Sequence, residues 1–151
     1  GETQLKLDLN NSPKQIESFD ALFDLIEQIL NPVAKHLGEV QLTYGFCSLE
    51  LSKHIHSRVY PKLDQHSACE LNNKGDLICQ RKGASCDFYV KGLSSLTLAK
   101  WVSANTEFDR LYFYGENLPI HVSYGPDNSK QIIKMNKGKS GKLIPKVVKK
   151  L

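Results

Sequence analysis

The chain has 151 residues, of which 40% are hydrophobic and 24% charged, as is typical of one globular domain with a packed core. No apolar run approaches the roughly 20 residues that span a bilayer, and the N-terminus lacks the layout of a signal peptide. These features exclude a membrane-spanning protein. They lead us to expect a cytoplasmic domain, or a secreted one if a signal has been removed.

Charge is unevenly distributed along the chain. Residues 130–151 contain eight Lys and no acid, whereas residues 1–129 carry 12 basic and 16 acidic residues. We interpret residues 127–151 as a basic, flexible tail. Its Lys side chains offer a contact for a polyanion, such as nucleic acid or an anionic membrane surface. Because the tail has no aromatic residue to stack on bases, a solvated tail without a partner is the simpler interpretation.

The four cysteines predict neither a disulfide framework nor a zinc knuckle. No secretory context accompanies Cys47, Cys69, Cys79 and Cys86, and no two of them form a CxxC pair. Cys69 and Cys79 flank a short segment with turn residues, where they could pair or share a metal. We expect free, half-buried thiols.

Hydrophobic spacing predicts three helices. Apolar residues recur at helical spacing between 19 and 37, with Ser18 as the N-cap and Gly38 at the end. Pro32 is expected to kink or divide this helix. A second helix is predicted over about 49–59, capped by Ser48, and a third begins at Ser94 or Ser95.

The same spacing predicts strands at 40–44, 86–90, 110–114 and 120–124, and a small hairpin within 70–79. We therefore expect an α+β fold with a small antiparallel sheet and helices packed on one face. Residues 18–126 form this domain, and residues 1–17 are a polar N-terminal extension.

Two histidines and one aspartate stand out as candidate metal ligands. His66 lies at a loop edge in LDQH, His121 lies inside the apolar strand PIHVSY, and Asp87 begins the strand DFYV. A buried imidazole or carboxylate needs a partner, and two imidazoles with one carboxylate are a usual catalytic zinc set. From the residues alone, a satisfied core histidine and a strand-capping aspartate remain an alternative. The other histidines, His36, His54 and His56, are assigned surface or structural roles.

Several motifs occur in an order that resembles the zinc D-Ala-D-Ala carboxypeptidases, whose fold is shared with the hedgehog signalling domain. QILNPVAKHLGEVQLTYGFCSLELS is similar to the first helix, strand and loop of that family. LDQH matches the first ligand, GASCDFYV the second, and FDRLYFYGENLPIHVSYG the final strands. The resemblance covers roughly residues 19–126. It implies the hedgehog/DD-peptidase fold, with one Zn²⁺ ion on His66, Asp87 and His121.

The chain departs from the family at three places. Residues 67–82 are inserted between the first two ligands, where they would shape a pocket beside the metal. Cys47 replaces the Arg that binds the substrate carboxylate, and thiols lack the fork of a guanidinium. Leu118 replaces a general-base Glu. The nearest carboxylate to that position is Glu116.

The resemblance implies a zinc-dependent hydrolase of the peptidase or amidase type, which attacks a peptide-like substrate through a zinc-activated water. Glu116 is the candidate base. Arg81, Lys82, Tyr112 and Tyr114 are candidates for polarising the carbonyl or holding the substrate, although each also suits an ordinary surface or packing role. Two alternatives stay open. One is a non-catalytic zinc-containing binding module on the same fold, and the other is a nucleic-acid or nucleotide interaction through the Lys-rich tail.

Overall fold

The computed structural model describes residues 8–55 and 59–151 and confirms an α+β fold. The helical elements are α1 (Ile16–Leu25), a π-helical segment (Ile26–Leu30), α2 (Asn31–Leu37), α3 (Leu49–Ser52), α4 (Pro61–Asp64) and α5 (Ser95–Asn105). The strands are β1 (Val40–Tyr44), β2 (Ala84–Val90), β3 (Arg110–Phe113), β4 (Ile120–Tyr124), β5 (Gln131–Lys137) and β6 (Leu143–Val148). Among the described residues, no helix is long and apolar enough to cross a bilayer.

The strands form one six-stranded sheet in the order β1-β2-β4-β3-β5-β6. Neighbours are antiparallel except β3 and β5, which are parallel. The expected small antiparallel sheet is therefore wrong in size and in strand direction. The four predicted strands are present, and β5 and β6 extend the sheet beyond them.

The two added strands come from the segment expected to be a flexible tail. Ile132 and Ile133 on β5 are 5% and 4% exposed, and Ile132 joins the main core. Lys side chains take the exposed positions around them. The expectation of a flexible tail is wrong for residues 131–148, where the lysines surround only two buried residues and no alternation of buried and exposed positions indicates a strand.

The helical segments from Ile16 to Leu37 follow one another without a break, and the geometry changes from α to π between Ile26 and Leu30. The π-helical segment Ile26–Leu30 ends where the Asn31 N–H donates to the Ile26 carbonyl, and Pro32 then lies in the first turn of α2. Pro is tolerated there because first-turn N–H groups have no helical partner. Leu25, Ile29 and Val33 form the buried stripe of the helix.

Two shorter predicted elements differ from expectation. The helix expected over 49–59 comprises α3 alone among the described residues, and positions 56–58 lie outside them. Ser48 caps it as predicted, its hydroxyl accepting from the Leu51 N–H. The hairpin within 70–79 is a single bridge between Leu71 and Leu77. All four cysteines are free thiols.

The sheet has one helix-covered face and one face that carries the candidate site. On β2, Ala84, Cys86, Phe88 and Val90 point into the main core, where α1 and α5 pack. Side chains alternate along a strand, so Asp87 points to the opposite face. There the connection between β1 and β2 supplies His66.

Candidate metal centre

His66, Asp87 and His121 converge in space. One ligand atom from each lies within 4.8 Å of those of the other two. Asp87 and His121 are direct cross-strand partners on β2 and β4. His66 enters from the loop after α4, turned inward by Gln65, which adopts a left-handed conformation with φ of 65°. The three residues singled out as metal ligands are thus brought together from positions up to 55 residues apart in sequence.

Two tyrosines flank the three residues in the same row of the sheet. Tyr44 on β1 is paired with Asp87, and Tyr112 on β3 is paired with His121. Tyr44 packs edge-on against the His66 ring at 4.9 Å, and Tyr112 against the His121 ring at 5.1 Å. A bulge between Leu42 and Tyr44 sets this register, as bulges beside functional sites often do.

The hydrogen bonds of His66 orient one ring nitrogen toward Asp87. Its Nδ1 donates to the Gly45 carbonyl at 2.9 Å, which leaves Nε2 3.3 Å from Asp87 Oδ1. Metal-binding histidines commonly donate their other nitrogen to a carbonyl in this way. Gly45 therefore has an orienting role that the sequence did not reveal.

His121 is not fully satisfied by the protein. Its Nδ1 lies 2.7 Å from Asp87 Oδ1, but its Nε2 is buried and has no hydrogen-bond partner among the described residues. Buried polar atoms normally have a partner. Asp87 thus satisfies one ring nitrogen of His121, and the other is left without a partner in the described part of the chain.

The pKa values of Asp87 and His66 are coupled through their close contact. Burial alone would raise the pKa of Asp87, but the hydrogen bonds of His121 and then His66 outweigh it and hold that pKa well below its usual range. Burial alone would lower the pKa of His66, yet the hydrogen bond and charge of Asp87 leave it raised. An ionised carboxylate, 28% exposed, thus faces two buried imidazoles.

Asp64 supports the first ligand and was missed in the sequence. Its two carboxylate oxygens accept from the His66 N–H at 3.1 Å and from the Tyr60 N–H at 2.7 Å. Its negative charge also contributes to the raised pKa of His66. An acid that closes a short helix directly before a ligand, as in LDQH, was the available signal.

Cys47 supports the candidate site from a buried position. Cys47 is fully buried, and burial raises the pKa of its thiol. Its N–H donates to the His66 carbonyl at 2.9 Å, and the Ser67 hydroxyl donates to its carbonyl at 2.7 Å. Cys47 therefore holds the loop that carries His66 through its backbone.

Arg81 lies away from the three ligands and is held by a buried acid. Its Nε is 2.7 Å from Asp109 Oδ2, a second nitrogen is 2.8 Å from Oδ1, and it also donates to Ser129. Burial alone would raise the pKa of Asp109, but Arg81, Ser129 and Gln65 lower it to about 2. Arg81 thus has a structural engagement that the sequence did not indicate.

Residues 79–81 of the insertion line an open surface pocket, and none of the three candidate ligands lines it. A space of about 320 Å³ is lined by Lys62, Leu63, Cys79, Gln80, Arg81, Arg110 and Asp127. Arg110 lies two residues before Tyr112 on β3, and the two side chains share the face that carries the metal centre. The cavity therefore lies on the same face as the three ligands.

The other candidate site residues, Tyr114, Glu116 and Lys82, differ in burial and in hydrogen bonding. Tyr114 is partly buried, and burial followed by the charge of Asp87 raises its pKa to about 12, so its hydroxyl stays protonated near the centre. Glu116 is exposed on the turn between β3 and β4, where its carbonyl accepts from the Ser95 N–H. Its carboxylate makes no hydrogen bond or ion pair with a described residue. Lys82 uses its carbonyl to accept from Gln65.

Comparison of the chain with protein-family models finds no match, and comparisons with curated proteins and with solved structures find none either.

Proposed function

We propose that this protein is a zinc-dependent hydrolase of the peptidase or amidase type, acting on a peptide-like substrate. The observation that carries the proposal is the convergence of His66, Asp87 and His121, with one His66 nitrogen held on the Gly45 carbonyl and the other directed at Asp87. Oriented imidazoles around an ionised carboxylate are a common constellation in hydrolytic zinc sites.

The donor set fits zinc by its chemistry. Two imidazole nitrogens and one carboxylate oxygen suit this ion and leave a coordination position for water. When bound, zinc supplies a Lewis acid and lowers the pKa of its water toward roughly 7. The approach of His121 Nδ1 and His66 Nε2 to the same carboxylate oxygen of Asp87, at 2.7 Å and 3.3 Å, supports a cation at this place.

The surrounding residues supply the other functions that hydrolysis needs. Tyr112 and Tyr114 lie beside the centre, and protonated tyrosine hydroxyls can donate to a developing oxyanion. Glu116 is our candidate for accepting the proton of the attacking water, because its carboxylate is not engaged by a described residue. Arg81 lines the cavity on the same face, where substrate contacts are available to it.

A non-catalytic zinc-containing module on the same fold is the second candidate. It is favoured by two observations at the positions of the family's functional residues: Cys47 is fully buried, and Leu118 is 53% exposed on the turn. In that case zinc would stabilise the fold or a binding surface without turnover.

The decisive experiment measures the zinc content and the hydrolytic activity of the same protein. We expect purified protein to contain one zinc per chain, and a panel of peptides and cell-wall fragments to reveal hydrolysis that the His66→Ala variant lacks. Zinc without hydrolysis of any of them would favour the non-catalytic module. Absence of zinc would refute both candidates.

Contact with a polyanion through the basic segment remains a separate proposal. Lys134 and Lys146 are directly opposed on β5 and β6, a like-charge pair that a bound anion would relieve. Because residues 131–148 belong to the sheet, truncation is an unsuitable test. Replacing these two lysines with Gln should weaken salt-dependent binding of a duplex DNA oligonucleotide, and unchanged binding would refute the contact.

A further inference from the structure

The first helix carries a second apolar stripe that nothing in the described structure covers. Ile16, Phe19, Phe23 and Ile26 recur at helical spacing and are 74%, 54%, 58% and 44% exposed. They are separate from the buried stripe at Leu25, Ile29 and Val33. Single exposed apolar residues are ordinary, but a continuous stripe with two phenylalanines marks an interaction surface.

Acidic residues lie beside the exposed apolar stripe of the first helix, which we call the helix stripe. Between residues 15 and 34 there are four acids, Glu17, Asp20, Asp24 and Glu27, and no Lys or Arg. None of the four acids forms an ion pair with a described residue. On a helical projection, Glu17, Asp20 and Asp24 lie along one border of the stripe. A surface that is apolar and bordered by acids fits a partner that is apolar and basic.

One face of the β5–β6 hairpin presents that kind of surface. Leu143 and Val147 lie on the same face of β6 and are 48% and 62% exposed, and the exposed Lys137 on β5 is the cross-strand partner of Leu143. Of the eight lysines from residue 130 onward, only Lys130 lies within 4.0 Å of an acid among the described residues, at 3.7 Å from Glu107. The hairpin also ends the sheet at β6, so one side of that strand is unpaired.

The two surfaces do not cover each other within one molecule, because both remain exposed. We propose that the helix stripe of one copy docks on the β5–β6 hairpin of a second copy. A symmetric helix-to-helix contact would bring the acids of both copies together, and a hairpin-to-hairpin contact would bring the lysines together. The unlike pairing is the one that combines apolar contact with opposite charge.

Such a contact is head-to-tail, so a pair of copies retains one free helix stripe and one free hairpin. Repetition gives a ring if the rotation closes and a chain if it does not. The association should strengthen with protein concentration and weaken with salt, because part of it is electrostatic.

Sedimentation of the full chain tests this with two complementary variants. Phe19→Ser with Phe23→Ser removes the helix stripe, and Leu143→Ser with Val147→Ser removes the apolar part of the hairpin. All four positions are exposed, so each variant should fold, which circular dichroism checks. Leu42→Ser, at a 59% exposed position on β1, is the matched control.

We expect the wild type and the Leu42→Ser control to associate at low salt, and each double variant alone to sediment as a monomer. An equimolar mixture of the two variants should form dimers and nothing larger, since only one pair of surfaces is intact. A monomeric wild type, continued association of either variant alone, or a mixture that stays monomeric would each overturn the proposal.

Discussion

Asp87 and His121 face each other directly across β2 and β4, with Asp87 Oδ1 2.7 Å from His121 Nδ1. This pair places two candidate ligands on neighbouring interior strands of the sheet. The third, His66, is brought against them by backbone contacts of the ligand loop with Gly45 and Cys47. Metal binding is therefore expected to depend on each of the three side chains.

Removing a ligand should remove the metal. We expect elemental analysis to find one zinc in the wild type and little in His66→Ala or Asp87→Ala, because two remaining donors bind weakly. His36→Ala is the matched control, since His36 is exposed on α2 and packs on Trp101. Zinc retained equally by His66→Ala would place the metal elsewhere.

Zinc binding should release protons. The pKa of His66 is raised above its ordinary value of 6.5, so near neutral pH a fraction of this residue carries a proton that the metal must displace. Zinc affinity should therefore fall as the pH decreases through and below neutrality. Titration calorimetry in buffers of different ionisation enthalpy measures the released protons, and equal apparent enthalpies in all buffers would contradict this prediction.

The Arg81–Asp109 pair should stabilise the fold in a pH-dependent manner. The folded-state pKa of Asp109 is about 2, below the ordinary 3.8. Its contribution, about 2 kcal/mol, is therefore fully present above roughly pH 4 and is lost as the pH falls through 2. Denaturant unfolding between pH 2 and 5 measures this slope.

In Asp109→Asn, the unfolding free energy should lack this part of its dependence on pH. The variant should also be less stable at pH 7, because Arg81 loses its partner. Ser129→Ala should be intermediate, since Ser129 donates to Asp109 through its hydroxyl at 3.0 Å and through its backbone. A slope in Asp109→Asn equal to that of the wild type would exclude this origin.

Glu116→Gln tests the proton acceptor. If turnover is found, we expect kcat to fall by about 10² to 10⁴ while zinc content stays at one, because a general base contributes about that much. Glu107→Gln, a change of the same kind at another exposed acid, should retain activity. Full activity of Glu116→Gln would require a different base.

The fifth strand should be necessary for folding. Ile132→Ala is expected to destabilise the protein by about 2–5 kcal/mol, because the side chain is 5% exposed within the main core. Ile144→Ala removes the same atoms from a position that is 55% exposed and should change stability little. Similar unfolding midpoints for the two variants would show that β5 is dispensable.

The sequence predicted the elements whose pattern is local. The bounds of β1 and β4 agree with the predicted strands 40–44 and 120–124, and Ser94 caps α5 with its hydroxyl accepting from the Leu96 N–H. The three candidate ligands were named together because the surrounding motifs resemble the zinc carboxypeptidases, whereas the polar residues in apolar strands alone left the alternative of ordinary core partners open.

The features that were missed depend on pairing across the chain. Parallel pairing of β3 with β5 has no local signature, and the lysines of β5 concealed Ile132 and Ile133. The pairing of Arg81 with Asp109 joins positions 28 residues apart, and no pattern in either segment indicates it. Sequence motifs thus indicated the candidate ligands more readily than the residues that support them.

The origin of His66 in a long connection has a consequence for motion. The His66 ring binds the Gly45 carbonyl, and the neighbouring Gln65 binds Asp109, which directly precedes β3. A metal on His66, Asp87 and His121 would add a direct link from this connection to β2 and β4. Chelation should then increase hydrogen exchange in the connection before the sheet, and substrate access would become coupled to metal occupancy.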